Sequence, residues 1–276
     1  MWNLVVAWLT IGVLLYTVAM LRWRRIRPYR ILTRGRTVFG RGVNFEVREY
    51  PASHCREFSQ HGVIHGQQDT RWPQRMAAAS YYIPGQPIAD AFIALQAHSA
   101  FTTVGVAGLG IGTLACFGRP GQEFTFYEID PAIIRLAQDP QLFTYLTDSK
   151  ATIKVVEGDV LQTLPQTPAA YYDLLVMDAY DGHAPPLALL TRPALELYLS
   201  RLRPAGVLLL HLTSPRDLTS ALSTTIAPLK TSLLLRQTPL GKGQTRWAAL
   251  CADPAGLESL RLHPRPWTRP VTQAPN

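Results

Sequence analysis

The chain has 276 residues, of which 47% are hydrophobic and 17% are charged, a composition that excludes a disordered chain and allows one large hydrophobic core. The net charge of +8 lies entirely in residues 1–48, which carry nine arginines and one glutamate, whereas 18 bases and 18 acids balance in the remainder. The balanced remainder argues against nucleic-acid binding, and three cysteines without paired spacing argue against a disulfide framework and a zinc site.

The first predicted element is a run of twenty uncharged residues, 2–21, which is followed by a cluster of arginines. As a helix this run would span about 30 Å, the thickness of the hydrocarbon core of a bilayer. Arginines on the C-terminal side only predict that this side faces the cytoplasm. We therefore expect residues 1–31 to form a single-pass anchor in the inner (cytoplasmic) membrane, with the rest of the chain in the cytoplasm. The alternative is a helix buried in the protein core.

The pattern of residues 32–83 predicts a small antiparallel β unit. Two stretches, 37–50 and 54–69, alternate apolar and polar residues and are interrupted by glycines and by Pro51, a pattern typical of short strands joined by turns. We expect residues 32–42 to act as a tether between the anchor and this unit.

From about residue 84 the pattern changes to strand-like runs that alternate with helical segments. The seven runs are 102–108, 123–129, 152–158, 171–178, 206–213, 231–237 and 246–252. This alternation predicts an α/β domain over residues 84–262, with a mainly parallel, doubly wound sheet. A hairpin-like turn joins the last two runs, so the last strand should be reversed, as in a class I methyltransferase-like (Rossmann-like) sheet. The proline-rich residues 263–276 predict an irregular tail.

A glycine-rich loop follows the first strand of this sheet. Gly108, Gly110 and Gly112 lie where the chain must turn sharply and where its backbone could approach a ligand without a Cβ in the way. Glu128 ends the next strand, where a carboxylate can accept hydrogen bonds from both hydroxyls of a ribose. The order of strand, loop, helix and acid predicts a nucleoside site; a purely structural turn is the alternative.

Asp159 and the reversed last strand favour an S-adenosylmethionine-type ligand over NAD. Asp159 ends the third strand, where its carboxylate can accept from an adenine amino group or cap a helix. Asp178 ends the fourth strand and begins a polar loop that contains Tyr180, Asp181 and His183. Ligands of open α/β sheets bind beyond the carboxyl ends of the strands, so this loop should cover the site.

Several motifs occur in one order along residues 61–212: HGVIHGQQ, SYYIPGQPI, VGVAGLGIGTLACFGRPG, FTFYEIDP, VVEGDV, YDLLVMDAY and HLTS. In this order they resemble the spermidine synthase family, and especially its bacterial membrane-associated branch. The resemblance implies aminopropyl transfer from decarboxylated S-adenosylmethionine to a small-molecule amine, with release of methylthioadenosine and without a metal. It also implies a possible homodimer.

The resemblance implies roles for individual residues. Asp178 matches the acid that takes the proton from the attacking amine, and Asp181 matches a second acid that helps to hold the cationic substrate. The positions that it assigns to the donor are Gly108, Gly110, Gly112, Glu128, Ile129, Asp159 and Val160. The positions that we assign to the substrate are Gln67, Tyr81, Tyr82, Tyr180 and His183.

The sequence departs from the family pattern in its charged positions. Ile111 stands where the glycine loop of the family usually has an acid, which weakens the preference for a decarboxylated donor. Ile83 follows Tyr81 and Tyr82 where the amine pocket of the family has an acid, and an unpaired buried ammonium costs several kcal/mol. A methyltransferase and a non-catalytic nucleoside- or polyamine-binding protein tethered to the membrane therefore stay open as alternatives.

Some of these side chains also allow a structural interpretation. Tyr81 and Tyr82 could be core aromatics whose hydroxyl groups are satisfied by neighbours. His211 lies near the end of the fifth strand, and we expect it to be a buried polar residue rather than a base.

Overall fold

The computed structural model describes residues 29–38, 42–60, 62–97, 101–181, 184–240 and 243–270. Within these ranges no helix has the length and apolar character needed to cross a bilayer. This finding overturns the predicted localisation in the inner membrane. The segment 2–21, on which that prediction was based, lies outside the described residues.

The N-terminal part of the described chain is a four-stranded antiparallel sheet in sequential order. Its strands are β1 (Arg30–Arg36), β2 (Asn44–Tyr50), β3 (Cys55–Gln60) and β4 (Val63–Asp69). Phe45, Val47 and Phe58 are buried on one face, as the alternation of side chains along a strand requires. The predicted tether is wrong for residues 32–36, which belong to β1 and pair with β2, so that the ladder satisfies their backbone polar groups.

The larger sheet has seven strands in the order β10-β11-β9-β8-β5-β6-β7. They are β5 (Thr103–Ala107), β6 (Glu123–Glu128), β7 (Thr152–Glu157), β8 (Tyr172–Met177), β9 (Leu202–His211), β10 (Ser232–Leu240) and β11 (Gly243–Cys251). Strands β5 to β9 pair in parallel, whereas β11 is antiparallel to both β9 and β10. The predicted methyltransferase-like sheet with a reversed last strand is confirmed.

Helices pack on both faces of the larger sheet. They are α1 (Pro87–Leu95), α2 (Pro131–Gln138), α3 (Tyr145–Asp148), α4 (Val160–Thr163), α5 (Arg192–Arg201), α6 (Thr219–Ile226) and α7 (Glu258–Arg261). Val176 of β8 lies in a buried cluster with residues of α1, whereas the next residue, Met177, lies in a second cluster with residues of α5. Both faces of the central strands are therefore buried, which explains why their sequences are apolar almost throughout.

A third apolar cluster joins the small sheet to the larger one. Phe45 and Phe58 of the small sheet pack in this cluster with Ile111 of the glycine loop and with Ile133 of α2. The contact is close, because a Cβ at Gly66 of β4 would lie 2.7 Å from the side chain of Ile111. The small sheet thus lies directly against the glycine loop.

The first residues of the C-terminal tail, 263–270, form no helix but make specific contacts with the larger domain. Thr268 makes an isolated bridge with Leu235 of β10, and Trp267 is 2% exposed. The guanidinium of Arg265 contacts the buried carboxylate of Asp90 on α1. This part of the tail therefore contributes to the core of the larger domain.

Candidate functional site

A cavity of about 400 Å³ lies at the carboxyl ends of β5, β6, β7 and β8, where ligands bind in open α/β sheets. Most of the predicted site residues line it: Gly108, Gly110, Glu128, Ile129, Asp159, Val160, Tyr81, Tyr82, Asp178, Tyr180 and Asp181. Gly112 and Gln67 do not line it, and His183 lies outside the described residues. The side chain of Gln67 instead donates to Glu57 at 3.1 Å.

The three glycines of the loop differ in the space around the position that a Cβ would occupy. Gly108 has φ +93°, and a Cβ there would lie 2.4 Å from the carbonyl oxygen of Asp178. Gly112 has φ +82° and packs against Leu146, away from the cavity. Gly110 has φ +54°, and its Cβ would meet no atom within 4 Å, so its backbone faces open space in the cavity wall. Gly110 is therefore the glycine that a ligand could approach most closely.

Glu128 is fixed in the cavity wall by backbone hydrogen bonds. The N–H groups of Leu109 and Asp130 donate to its two carboxylate oxygens, each at 2.9 Å. Burial raises the pKa of Glu128, and these hydrogen bonds oppose the rise. Each oxygen keeps a second lone pair, so the carboxylate can still accept hydrogen bonds from a diol.

Asp159 combines the two roles that the sequence left open. It caps α4, because the N–H of Leu161 donates to its Oδ1 at 2.9 Å, and it also lines the cavity. Ile129, which is 37% exposed, and Val160 lie beside the two acids in the chain and supply apolar surface to the same cavity. This combination of acids and apolar side chains is suited to a ribose and a flat base.

Asp178 is held in the cavity wall by two side chains. The hydroxyl of Tyr82 donates to its Oδ2 at 2.7 Å, and Nδ1 of His211 lies 2.7 Å from its Oδ1. Burial and the adjacent Asp178 carboxylate hold the pKa of Tyr82 well above its usual value, so the phenol keeps its proton and acts as donor. The hydroxyl of Tyr81 lies 3.0 Å from that of Tyr82 and extends this chain of polar contacts.

The loop after β8 contributes two side chains to the cavity wall, Tyr180, which is held by hydrogen bonds, and Asp181, which is exposed. The hydroxyl of Tyr180 donates to the carbonyl of Thr213 at 3.0 Å, which holds the ring against the end of β9. The backbone N–H of Asp181 donates to the carbonyl of Ala184 at 3.0 Å. Asp181 is exposed and lines the cavity, so it lies near the entrance from solvent.

The small sheet also lines the cavity, although not through Gln67, the residue of this sheet that the sequence assigned to the substrate. Gln60 and His65 contribute to the wall, and the N–H of Val38 donates to Asp130 at 2.6 Å. Ile111, by contrast, is 1% exposed and packs in the apolar cluster below the small sheet. The position at which the resemblance implies an acid is therefore part of the core here.

The contact between His211 and Asp178 was also missed at the sequence level. Met177 of β8 pairs with Leu210 of β9, and this register makes the next residue of each strand a neighbour of the other. Parallel adjacency of the fourth and fifth strands is the signal that could have predicted the contact. The sequence did predict correctly that His211 is buried, since it is 7% exposed.

Solved structures share this architecture. A probable spermidine synthase from Corynebacterium glutamicum aligns with a TM-score of 0.61 and 17% identity over 85% of this chain and 89% of its own. The chain has the spermidine synthase fold. A spermidine synthase in complex with the transition state analogue AdoDATO aligns at 0.60, with 13% identity over 87% of this chain and 81% of its own. The spermidine synthase from Thermotoga maritima aligns at 0.55, with 13% identity over 87% and 80%.

At 13–17% identity, these structural alignments show the spermidine synthase fold alone. No protein-family model matches the chain, and no curated protein matches its sequence. The neighbours do not bear on the membrane-associated branch of the family. In the described part of this spermidine synthase fold, no group of three or more His, Cys, Asp or Glu side chains is arranged to hold a metal.

Proposed function

We propose that the protein is a transferase that moves an aminopropyl group from decarboxylated S-adenosylmethionine to an amine and releases methylthioadenosine. The observation that carries the proposal is the convergence of Glu128, Asp159 and Asp178 on one cavity. Glu128 ends β6, Asp159 follows β7 and Asp178 follows β8. One solved structure with this fold is a spermidine synthase in complex with a transition state analogue.

The cavity wall fits the adenosine part of such a donor. Glu128 would accept from the ribose hydroxyls with the lone pairs that the backbone leaves free, and Asp159 would accept from the adenine amino group. Ile129 and Val160 would contact the faces of the base. Gly110 would let the backbone approach the sulfur, because no side chain intervenes there.

Asp178 would act as the base toward the amine. An ammonium has no lone pair, so it cannot attack carbon until a proton leaves, and a carboxylate in the cavity both attracts the cation and accepts the proton. The amine nitrogen then forms a bond to the propyl carbon, while the bond from that carbon to sulfur breaks. The sulfonium supplies the leaving group, because the bonding electrons return to sulfur and give a neutral thioether. Tyr82 would keep the carboxylate in place during this step.

The first experiment measures methylthioadenosine released from decarboxylated S-adenosylmethionine in the presence of a panel of mono-, di- and polyamines. Asp178→Asn should lower kcat by about 10²–10⁴-fold, while the affinity for methylthioadenosine, measured by isothermal titration calorimetry, should change little. The absence of methylthioadenosine release with every amine of the panel would refute the proposal.

A methyltransferase is the second candidate, and the burial of Ile111 is the observation in its favour. An apolar side chain in the core cannot pair with the ammonium at the end of an aminopropyl group. The same incubations with S-adenosylmethionine separate the two candidates, because methyl transfer releases S-adenosylhomocysteine and aminopropyl transfer releases methylthioadenosine.

A further inference from the structure

His211 lies behind Asp178 and not in the cavity. Its ring stacks on Trp247 of β11, with ring centroids 4.2 Å apart and planes inclined by 3°. Both ring nitrogens are engaged, since Nδ1 lies 2.7 Å from Oδ1 of Asp178 and Nε2 lies 2.8 Å from the hydroxyl of Thr213. His211 is 7% exposed and both of its nitrogens are engaged by the protein, so neither is free to contact a substrate.

Thr213 contacts Nε2 of His211, and Asp178 contacts Nδ1. The backbone N–H of Arg246 donates to the hydroxyl oxygen of Thr213 at 2.9 Å. The hydroxyl hydrogen can be donated to Nε2 of His211 or to the hydroxyl of Thr245, 3.5 Å away. The hydroxyl oxygen also has a second lone pair, so Thr213 is compatible with a proton on either ring nitrogen. The contact of Nδ1 with Asp178 at 2.7 Å decides in favour of a proton on Nδ1.

The opposite tautomer is incompatible with a base at Asp178. It would place the lone pair of Nδ1 against a carboxylate lone pair at 2.7 Å, which is repulsive unless Asp178 carries a proton there. A protonated Asp178 cannot take a proton from an amine. With the proton on Nδ1, by contrast, an ionised Asp178 receives one hydrogen bond on each oxygen, from His211 and from Tyr82.

We propose that His211 is a positioning residue for the base. Its Nδ1–H holds one oxygen of Asp178 while Tyr82 holds the other, so that the carboxylate keeps a fixed orientation toward the cavity. The proposal deepens the proposed function and rests on it. The stacked Trp247 ring and the Thr213 hydroxyl fix the imidazole in turn, which makes β9 and β11 part of the catalytic geometry.

Two amide variants test this role, because each retains a different half of the imidazole. Asparagine places an N–H near the position of Nδ1, whereas glutamine reaches the position of Nε2. His211→Asn should therefore retain kcat within a few-fold. His211→Gln should lower kcat by about 10–100-fold, with the KM for decarboxylated S-adenosylmethionine unchanged, since the donor contacts are elsewhere. Equal activity of the two variants would overturn the proposal.

A measurement without substrate keeps the two proposals distinguishable. In the 276-residue chain labelled with ¹⁵N-histidine, NMR should show His211 as the tautomer protonated on Nδ1, and Asp178→Asn should shift that resonance. A ring protonated on Nε2 alone would overturn the positioning role, whatever the activity. A wild-type protein that shows the expected tautomer but no turnover would refute the proposed function instead.

His54→Asn is the matched control for these substitutions. His54 is exposed and has φ +50°, a conformation that asparagine tolerates well. The His54→Asn variant should have the kcat and melting temperature of the wild type. Melting temperature and methylthioadenosine binding are measured for each His211 variant. If a variant is folded and binds methylthioadenosine but has a lower kcat, the loss is attributed to the altered position of Asp178. Loss of donor binding in proportion to kcat would count against the proposal.

Discussion

Asp90 on α1 and Arg265 in the C-terminal segment form an ion pair with two hydrogen bonds, at 2.7 and 2.8 Å. Arg236 of β10 completes the cluster at 2.8 Å, and the N–H of Gly85 donates to the same carboxylate at 2.9 Å. Gly85 lies three residues after Tyr82. The buried carboxylate therefore ties two distant segments to the loop that carries the tyrosine in contact with the proposed base.

Asp90→Asn should destabilise the fold by about 3–5 kcal/mol, because it leaves the buried guanidinium of Arg236 without its counter-ion. The free energy of unfolding in urea measures the effect. Glu258→Gln, which removes an exposed ion pair with Arg261, is the control and should leave the free energy of unfolding nearly unchanged. Equal effects of the two substitutions would contradict the importance of the buried cluster.

The same comparison has a defined pH dependence. Burial raises the pKa of Asp90, but hydrogen bonds from Arg265 and Gly85 and the pairing with Arg236 outweigh it and lower the pKa from 3.8 to about 2. Because the pKa is lower in the folded state, the ionised carboxylate contributes its full stabilisation above pH 3.8. This contribution is lost as the pH falls toward 2. The stability difference between wild type and Asp90→Asn should therefore be constant near neutral pH and shrink below about pH 4.

Gly110→Ala should weaken donor binding more than it destabilises the fold. Its φ of +54° makes a side chain unfavourable by about 1–2 kcal/mol, but no atom of the protein would collide with the new methyl group. Gly121→Ala is the control, since Gly121 has φ +82°, equally open surroundings and no place in the cavity. Both variants should lose similar stability, and only Gly110→Ala should lose affinity for methylthioadenosine in calorimetry.

The elements that the sequence predicted are those with local signals. The apolar runs of the larger sheet, the glycine loop and the acids at the strand ends each depend on residues close in the chain. Gly112 and Gln67 were predicted from the sequence to belong to the site, but Gly112 packs against Leu146 and the side chain of Gln67 donates to Glu57. Proximity in the chain therefore did not decide which side chains reach the cavity.

The features that were missed depend on pairing between distant segments. The partner of Asp178 follows from the register of β8 and β9, and the partner of Asp90 lies 175 residues away along the chain. Residues 32–36 of β1 were predicted to be part of a tether because a strand at a sheet edge has a weak local pattern. The backbone N–H and C=O groups of β1 are satisfied by pairing with β2, a contact that the local sequence pattern does not contain.

Glu128→Gln should weaken methylthioadenosine binding by about 10–100-fold, because a charged acceptor for the ribose is lost. Since burial raises the pKa of Glu128 above its usual 4.5, wild-type affinity should fall on acidification before pH 4.5 is reached, and Glu128→Gln should lose this component. Glu123→Gln, at the start of the same strand and paired with Lys154, is the control. Titrations in which both variants bind equally well would contradict a role for Glu128.

Ile111→Asp should unfold the protein rather than restore the acid that the resemblance implies. Ile111 is 1% exposed and its side chain fills the space beside Gly66, so an aspartate there would be a buried charge without a partner, at a cost of several kcal/mol. Ile64→Asp is the matched control, because Ile64 lies on the same strand as Gly66 but is 43% exposed. The melting temperature should fall sharply for Ile111→Asp only. A folded Ile111→Asp protein that binds decarboxylated S-adenosylmethionine more tightly than the wild type would mean that position 111 faces the donor.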